Sequence, residues 1–472
     1  MIQLALPSFL FSLLLLAILS SYILRRWERG VSLANGAMLS LAGALLWRFP
    51  IDSPLLSIPF IPVDLDLRAG IWEYGFRLQF TQTNEPIVVI VLLLLGSGML
   101  LTAAASQGRV FPPSMLLVGT GYIGIALVVD APISPVFLAP ASLAILMALS
   151  VFPLQVGIGG EALTSLRAML PPILATPFVL LAAWHMEQLP LNPQDIRLAA
   201  GGAQLLGAGL LILLAPVPLH SAQPQLGESS PPIAMALTIL LYQTLVLYLY
   251  FLATTSFPLL LSSTALNVWL TSTATVTLVW GGVAAAAASH PGRLLGYAML
   301  HDWGLILLLL AGSDEGSLPM VVSLFALRIL STMSASAGLS QIRQATGSLD
   351  AESLHGVGAR LPWSTAAFLL GSLGLAGFPL TAGFSGHWSA IQALAEGDWR
   401  FAAVVLIASS SVIFGFVRMV GIFFGPLTYP QLPRERPLGI VFSLMAILLV
   451  TGMAIAPQLF EGPLARTLLA FD

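Results

Sequence analysis

The chain has 472 residues, of which 57% are hydrophobic and 8% charged, with a net charge of -3 and a mean hydropathy of +0.93. A soluble domain carries about 25% charged residues, so a water-surrounded fold of this size is excluded, and the small net charge argues against a nucleic-acid or acidic partner. Cysteine is absent and all 18 basic residues are arginine; disulfides, thiolate metal sites and cysteine nucleophiles are excluded with it.

In chain order, the apolar run Leu4 to Leu24 has no basic segment and no small-x-small cleavage site before "RRWERG". It reads as a first transmembrane helix and not as a cleaved signal. A span needs about 20 mainly apolar residues. Segments of that kind follow near 31–48, 85–105, 111–130, 134–153, 166–186, 199–218, 232–256, 263–289, 294–312, 318–340, 364–394, 401–425 and 437–456, fourteen in all. Without period-2 alternation these are helices, so the expected class is an all-α membrane protein. The long loop from about 49 to 84 contains "DLDLRAGIWEYGFRLQF", which reads as short strands or a hairpin on the outer surface.

Arginine placement orients the bundle. With the N-terminus outside, the inner loops carry Arg25, Arg26, Arg29, Arg109, Arg293, Arg343, Arg360, Arg434 and Arg436. Both termini are therefore expected on the non-cytoplasmic side of a prokaryotic inner or thylakoid-type membrane. Two apolar segments are interrupted. One ends in "APVPLHSAQPQLGESSPP", with Pro218 and Pro231; the other contains "GFPLTAGFSGHW", with Gly377, Pro379, Gly383, Gly386 and His387. Paired broken helices in two halves point to an inverted-repeat transporter with an ion path at the breaks. Two kinks without function are the alternative.

The stretch "SLDAESLHGVGARLPWSTAAFLLGSLGLAGFPLTAGFSGHW" resembles the antiporter-like membrane subunits of respiratory complex I, of the related photosynthetic complex and of multisubunit sodium/proton antiporters. "RLLGYAMLHDWG" (Arg293 to Gly304) and "VPLHSAQPQLGESSPPIA" (Val217 to Ala234) resemble two further family motifs in the same order. The resemblance covers roughly 110 to 425. It implies about fourteen helices and inverted five-helix repeats with broken helices, divided as 1–109, 110–256, 257–425 and 426–472. It also implies proton relay along buried Lys, Glu and His residues, with neighbouring membrane subunits and lipid as partners, H+ or Na+ as the ion, and any NADH or quinone chemistry left to other subunits.

The family's lysines are all replaced. Their positions fall on Leu213, Gln243, Gly292 and His387; a family Glu falls near Ala141 and a family His on Asp302. Gln243 and Tyr242 can hydrogen-bond water but do not change charge near neutral pH. The second half keeps His301, Asp302, Arg328, His387 and Arg418. Asp302 and Arg328 are expected to form a buried salt bridge. Adjacent residues point about 100° apart, so His301 and Asp302 are not expected to face one path. Arg167 is expected at a helix end, and His220 and Glu228 in an exposed break loop. No phosphate loop, metal spacing or catalytic triad stands out, so no catalytic residue, metal or cofactor is expected. The favoured expectation is a proton- or cation-translocating membrane subunit centred on His387. The alternatives are a structural subunit that has lost conduction and, less well supported, a stand-alone solute transporter.

Overall fold

Backbone polar groups removed from water must pair within their own segment, and long apolar runs meet that demand as helices. The computed structural model describes residues 2–48, 55–57, 63–131, 133–154, 162–192, 194–260, 264–312, 317–426 and 433–468. Its main helices are α1 (Leu6–Ile23), α2 (Glu28–Arg48), α3 (Glu85–Ala104), α4 (Phe111–Leu127), α5 (Pro135–Leu149), α6 (Leu170–Gln188), α7 (Ile196–Leu213), α8 (Ala222–Ser229) and α9 (Pro232–Ser256). They continue as α10 (Thr264–Ala287), α11 (Pro291–Ala311), α12 (Ser317–Thr346), α13 (Pro362–Gly374), α14 (Gly383–Phe423), α15 (Pro437–Ile455) and α16 (Glu461–Leu468).

Eleven helices among the described residues are long and apolar enough to cross a membrane. The expected fourteen segments resolve differently at three places. α4 has 17 residues, short of a full span. α6 carries Pro177 inside and ends on the polar His185 and Gln188. The expected spans 364–394 and 401–425 become the short α13 and the long α14, which leaves helical geometry at Asp398 (φ -145, ψ 108).

The expected surface strands are present. Ile71–Glu73 and Phe76–Leu78 form a hairpin across Tyr74 and Gly75, both at positive φ (50 and 83). That pairing of signs is the two-residue turn whose twist matches a hairpin. Val63–Asp66 pairs in parallel with Ile2–Ala5, so the first residues before α1 are a strand and not part of the helix. Residues 49–54 and 58–62 of the long loop lie outside the described residues.

α9 and α11 form the centre of the bundle. Every residue of α9 from Pro232 to Tyr250 is buried, as is nearly all of α11. Close approach to α11 rests on glycine. A Cβ on Gly281 of α10 would lie 2.4 Å from the His301 nitrogen, and one on Gly292 would lie 1.9 Å from the Gly227 carbonyl of α8. Gly292 stands where the resemblance implies a lysine, and the α8 backbone leaves no room for any side chain there. The small-residue contact is the usual way membrane helices bring their backbones together.

α11 starts on Pro291, with the His290 ring accepting from the Arg293 N–H at 3.3 Å. A ring nitrogen accepts only when it is unprotonated. Burial holds the His290 pKa below its ordinary 6.5, opposed in part by Glu228 and Asp350 and reinforced by Arg343 and Arg293. The folded chain thus binds fewer protons here than the unfolded chain once pH falls below 6.5, and stability is lost on acidification. We expect the thermal midpoint of the purified protein to fall between about pH 7 and about pH 5, and the fall to flatten in His290→Asn, which keeps a capping acceptor without the titration. Melting curves across that pH range check this.

Candidate functional site

A charge at membrane depth persists only beside a partner or an internal polar path. In this chain three elements bring such groups to one point. α11 supplies His301 and Asp302, α12 supplies Arg328, and the start of α14 supplies His387; their relative exposures are 0%, 1%, 1% and 2%. α9 adds Gln243, also buried.

Arg328 is the hub. Its Nη1 donates to Asp302 Oδ2 at 2.6 Å and to the Met299 carbonyl at 2.7 Å. Its Nε and Nη2 donate to Gln243 Oε1 at 3.2 and 2.9 Å. The guanidinium lies 5.6 Å from the centre of the Trp303 ring, and that indole N–H donates to the Leu214 carbonyl at 2.8 Å. The expected Asp302–Arg328 pair is present. Gln243, expected to hydrogen-bond water along the path, bridges this pair to the first half of the chain.

His387 sits on the other side of Asp302. Its Nε2 is 3.4 Å from Asp302 Oδ1, within ion-pair distance but without hydrogen-bond geometry, and Nε2 has no hydrogen-bond partner. Its Nδ1 is 3.0 Å from the Gly383 carbonyl. A carbonyl only accepts, so Nδ1 carries the hydrogen in the neutral ring and Nε2 presents a lone pair toward the carboxylate. His301 differs. Its Nδ1 faces the Leu278 carbonyl at 3.2 Å and its Nε2 faces the Ser409 hydroxyl at 3.0 Å, so both ring nitrogens are occupied.

As the 100° offset leads one to expect, His301 and Asp302 bond to different neighbours, His301 to Leu278 and Ser409 and Asp302 to Arg328. The two histidine rings nevertheless lie 6.5 Å apart and nearly parallel at 23°, with Asp302 on the Nε2 side of His387.

The break in "GFPLTAGFSGHW" fixes His387. Gly377 has φ +68, and a Cβ there would fall 2.5 Å from the His387 ring. Gly383 packs against the Gly374 carbonyl where a Cβ would lie at 1.8 Å, and Gly386 faces Leu324 and Leu327. Pro379 is exposed in the connecting turn. At the first break Pro218 follows a cis peptide and Pro231 precedes α9.

A cavity of about 60 Å³ adjoins Gln243, Tyr242 and Trp303, with His220, Gln223 and Thr238 in its wall. The Thr238 hydroxyl and Gln223 amide nitrogen are buried with no hydrogen-bond partner. A polar space of this size has room for water. Tyr242 donates to the Leu213 carbonyl at 2.7 Å and does not touch Arg328's acceptors. His220, expected to be exposed, is half-buried against this cavity. Glu228 is exposed and pairs with Arg293 at 3.5 Å; Arg167 donates to Gln225 at 2.5 Å. Arg418 is exposed and donates to the Ala288 carbonyl, apart from the cluster.

Sequence reasoning missed Trp303, Met299, Leu278 and Ser409. Only Trp303 carried a signal: a buried indole needs an acceptor and favours a neighbouring cation. The backbone carbonyls and the serine are found only through the packing.

Residues 178–414, half of the chain, match the family model described as NADH:quinone oxidoreductase/Mrp antiporter, TM. Subunit N 3 of the NADH-quinone oxidoreductase of Streptomyces griseus is 30% identical over 281 residues, covering 56% of this chain and 49% of that protein. The chain thus spans about half the length of the curated relatives it matches. Among solved structures, a chain of the archaeal membrane-bound sulfane sulfur reductase superposes with a TM-score of 0.80 at 18% identity, covering 98% of this chain and 97% of that one. A chain of the Mrp complex from Dietzia sp. gives 0.78 at 16% identity, covering 98% and 96%. At these identities the likeness is one of fold.

Removing one partner of a buried ion pair leaves the other uncompensated, at a cost of about 3–5 kcal/mol. We expect Arg328→Met to strand Asp302 and Gln243 and to lower stability by about that amount, whereas Arg328→Met combined with Asp302→Leu recovers much of the loss. Thermal melts of the unchanged protein, each single variant and the double variant in one detergent test the pairing.

Proposed function

The chain belongs to the transmembrane family shared by NADH:quinone oxidoreductases and Mrp antiporters, and on that premise we propose that it is a proton-relaying membrane subunit of a complex of that type. It is an integral, multi-pass membrane protein. In our reading the repeats are 110–256 and 257–425, flanked by 1–109 and 426–472, with both termini on the non-cytoplasmic side and other membrane subunits beside it. The observation that carries the proposal is the free Nε2 of His387 facing Asp302 Oδ1 at 3.4 Å in the buried core.

The chemistry follows from the donor inventory. Arg328 does not release its proton in the accessible range, so it sets a fixed positive charge beside Asp302. His387 takes up a proton at Nε2 and becomes a donor at both nitrogens, one toward Gly383 and one toward Asp302. Gln243 and Tyr242 orient water in the neighbouring cavity without changing charge. His301, with both nitrogens engaged, positions the His387 ring. The ion is H+ in this reading, and redox chemistry belongs to other subunits.

A structural, non-conducting subunit is the second reading. It is favoured by the completeness of the Arg328 contacts, since a saturated static pair stabilises and carries nothing.

Proton uptake into vesicles containing the assembled complex separates the two. We expect His387→Gln to lower uptake by at least about tenfold, in the range that loss of a positioned proton carrier produces, with assembly intact. Asp302→Asn should lower it as well, and Arg418→Gln should leave it unchanged. Full uptake in a well-assembled His387→Gln complex would overturn the relay and leave the structural reading.

A further inference from the structure

A second cavity, of about 290 Å³, lies away from the charged cluster, between α2, α3, α9, α12 and α16. Its walls include Trp47, Leu93, Tyr248, Val321, Phe325 and Thr467. We propose that it holds one acyl chain of a phospholipid whose anionic headgroup lies over Arg48.

The wall chemistry selects a hydrocarbon. The lining is almost wholly carbon, and the Thr244 hydroxyl at its edge is already committed to the Leu240 carbonyl at 2.7 Å. A buried water needs two to four polar partners, and little polar surface faces this space. Atoms lining a void lose their dispersion contacts on that side, so a bilayer chain within reach gains by entering. It is within reach: Leu93 on the rim is 39% exposed, and Trp47, Phe251 and Ala326 are partly exposed around it, whereas Val321 and Phe325 form a buried floor.

The charge near the cavity selects the headgroup. Arg48 is exposed at the end of α2, next to Trp47. The Arg466 guanidinium lies 5.1 Å from the Trp47 ring centre and pairs with Glu85. A tryptophan beside arginines is the arrangement that sits at the headgroup level of a bilayer. The Arg466–Glu85 pair holds α16 over one side of the cavity, and Arg48 offers the positive charge that a phosphate would meet.

The test uses the assembled complex in vesicles of phosphatidylglycerol or phosphatidylcholine doped with the same lipid carrying a photoreactive group midway along one chain. Cross-linked peptides are mapped by mass spectrometry. We expect adducts concentrated around Leu93, Tyr248 and Phe325, and their loss in Ala326→Trp, which fills the cavity from the side of α12. Leu93→Trp, at the exposed rim, serves the same purpose should the first variant not assemble. Arg48→Gln should weaken labelling by phosphatidylglycerol about fivefold, the worth of one basic residue toward an anionic headgroup, and leave phosphatidylcholine labelling unchanged. Adducts spread evenly over all exposed faces, or undiminished by either tryptophan, overturn the proposal. Recovery of an isoprenoid quinone from the cavity in place of the phospholipid does so too.

Discussion

The guanidinium of Arg328 is out of water, at the meeting point of α9, α11 and α12, and much of the inner bundle is arranged around its needs. A charge so buried requires an opposite charge and filled hydrogen bonds. Asp302 supplies the first; Gln243 and the Met299 carbonyl supply the second; Trp303 closes the remaining face. Each of these fixes a neighbour in turn. Trp303 ties α11 to the end of α7 through the Leu214 carbonyl, and Gln243 ties the second half of the chain to α9. The apolar packing could be met by many similar sequences, but this polar knot admits few substitutions.

The two halves of the chain carry the polar chemistry unequally. Around the water-sized cavity the first half offers neutral hydrogen-bonding groups, and its buried carboxylate Glu85 pairs elsewhere with Arg466, whereas the second half supplies the buried charges of the central cluster. Gln243 is where they join, by a contact that carries no charge of its own. Where the resemblance implies lysines at several positions, the central cluster of this chain holds one arginine, one carboxylate and two imidazoles. Gly292 shows that the difference extends to the backbone, because α8 occupies the volume a lysine stem would need.

Membrane class, the paired breaks and the Asp302–Arg328 bridge were legible in the sequence for a single reason. Removing charge and backbone from water is so costly that few arrangements survive, and composition alone reveals the pressure. The contact between His387 and Asp302 was not legible, since it joins residues on α11 and α14 through a turn at Gly377 whose path local rules do not give. The partners of His301, Leu278 and Ser409, were not legible either, because they come from α10 and α14 and meet only through the packing. The count of spans also resisted reading: α4 falls short of a full span, α6 carries Pro177, and the stretch expected as one span over 364–394 divides between Gly374 and Gly383 into α13 and the start of α14.

The break at Gly377 has a mechanical side. The His387 ring rests directly on the Gly377 backbone, and α14 begins against the Gly374 carbonyl. The imidazole is therefore seated against the turn, and the placement of the turn sets the 3.4 Å separation between Nε2 and Asp302 Oδ1. A break made of glycines in one helix thus governs how closely an imidazole approaches a carboxylate carried by another.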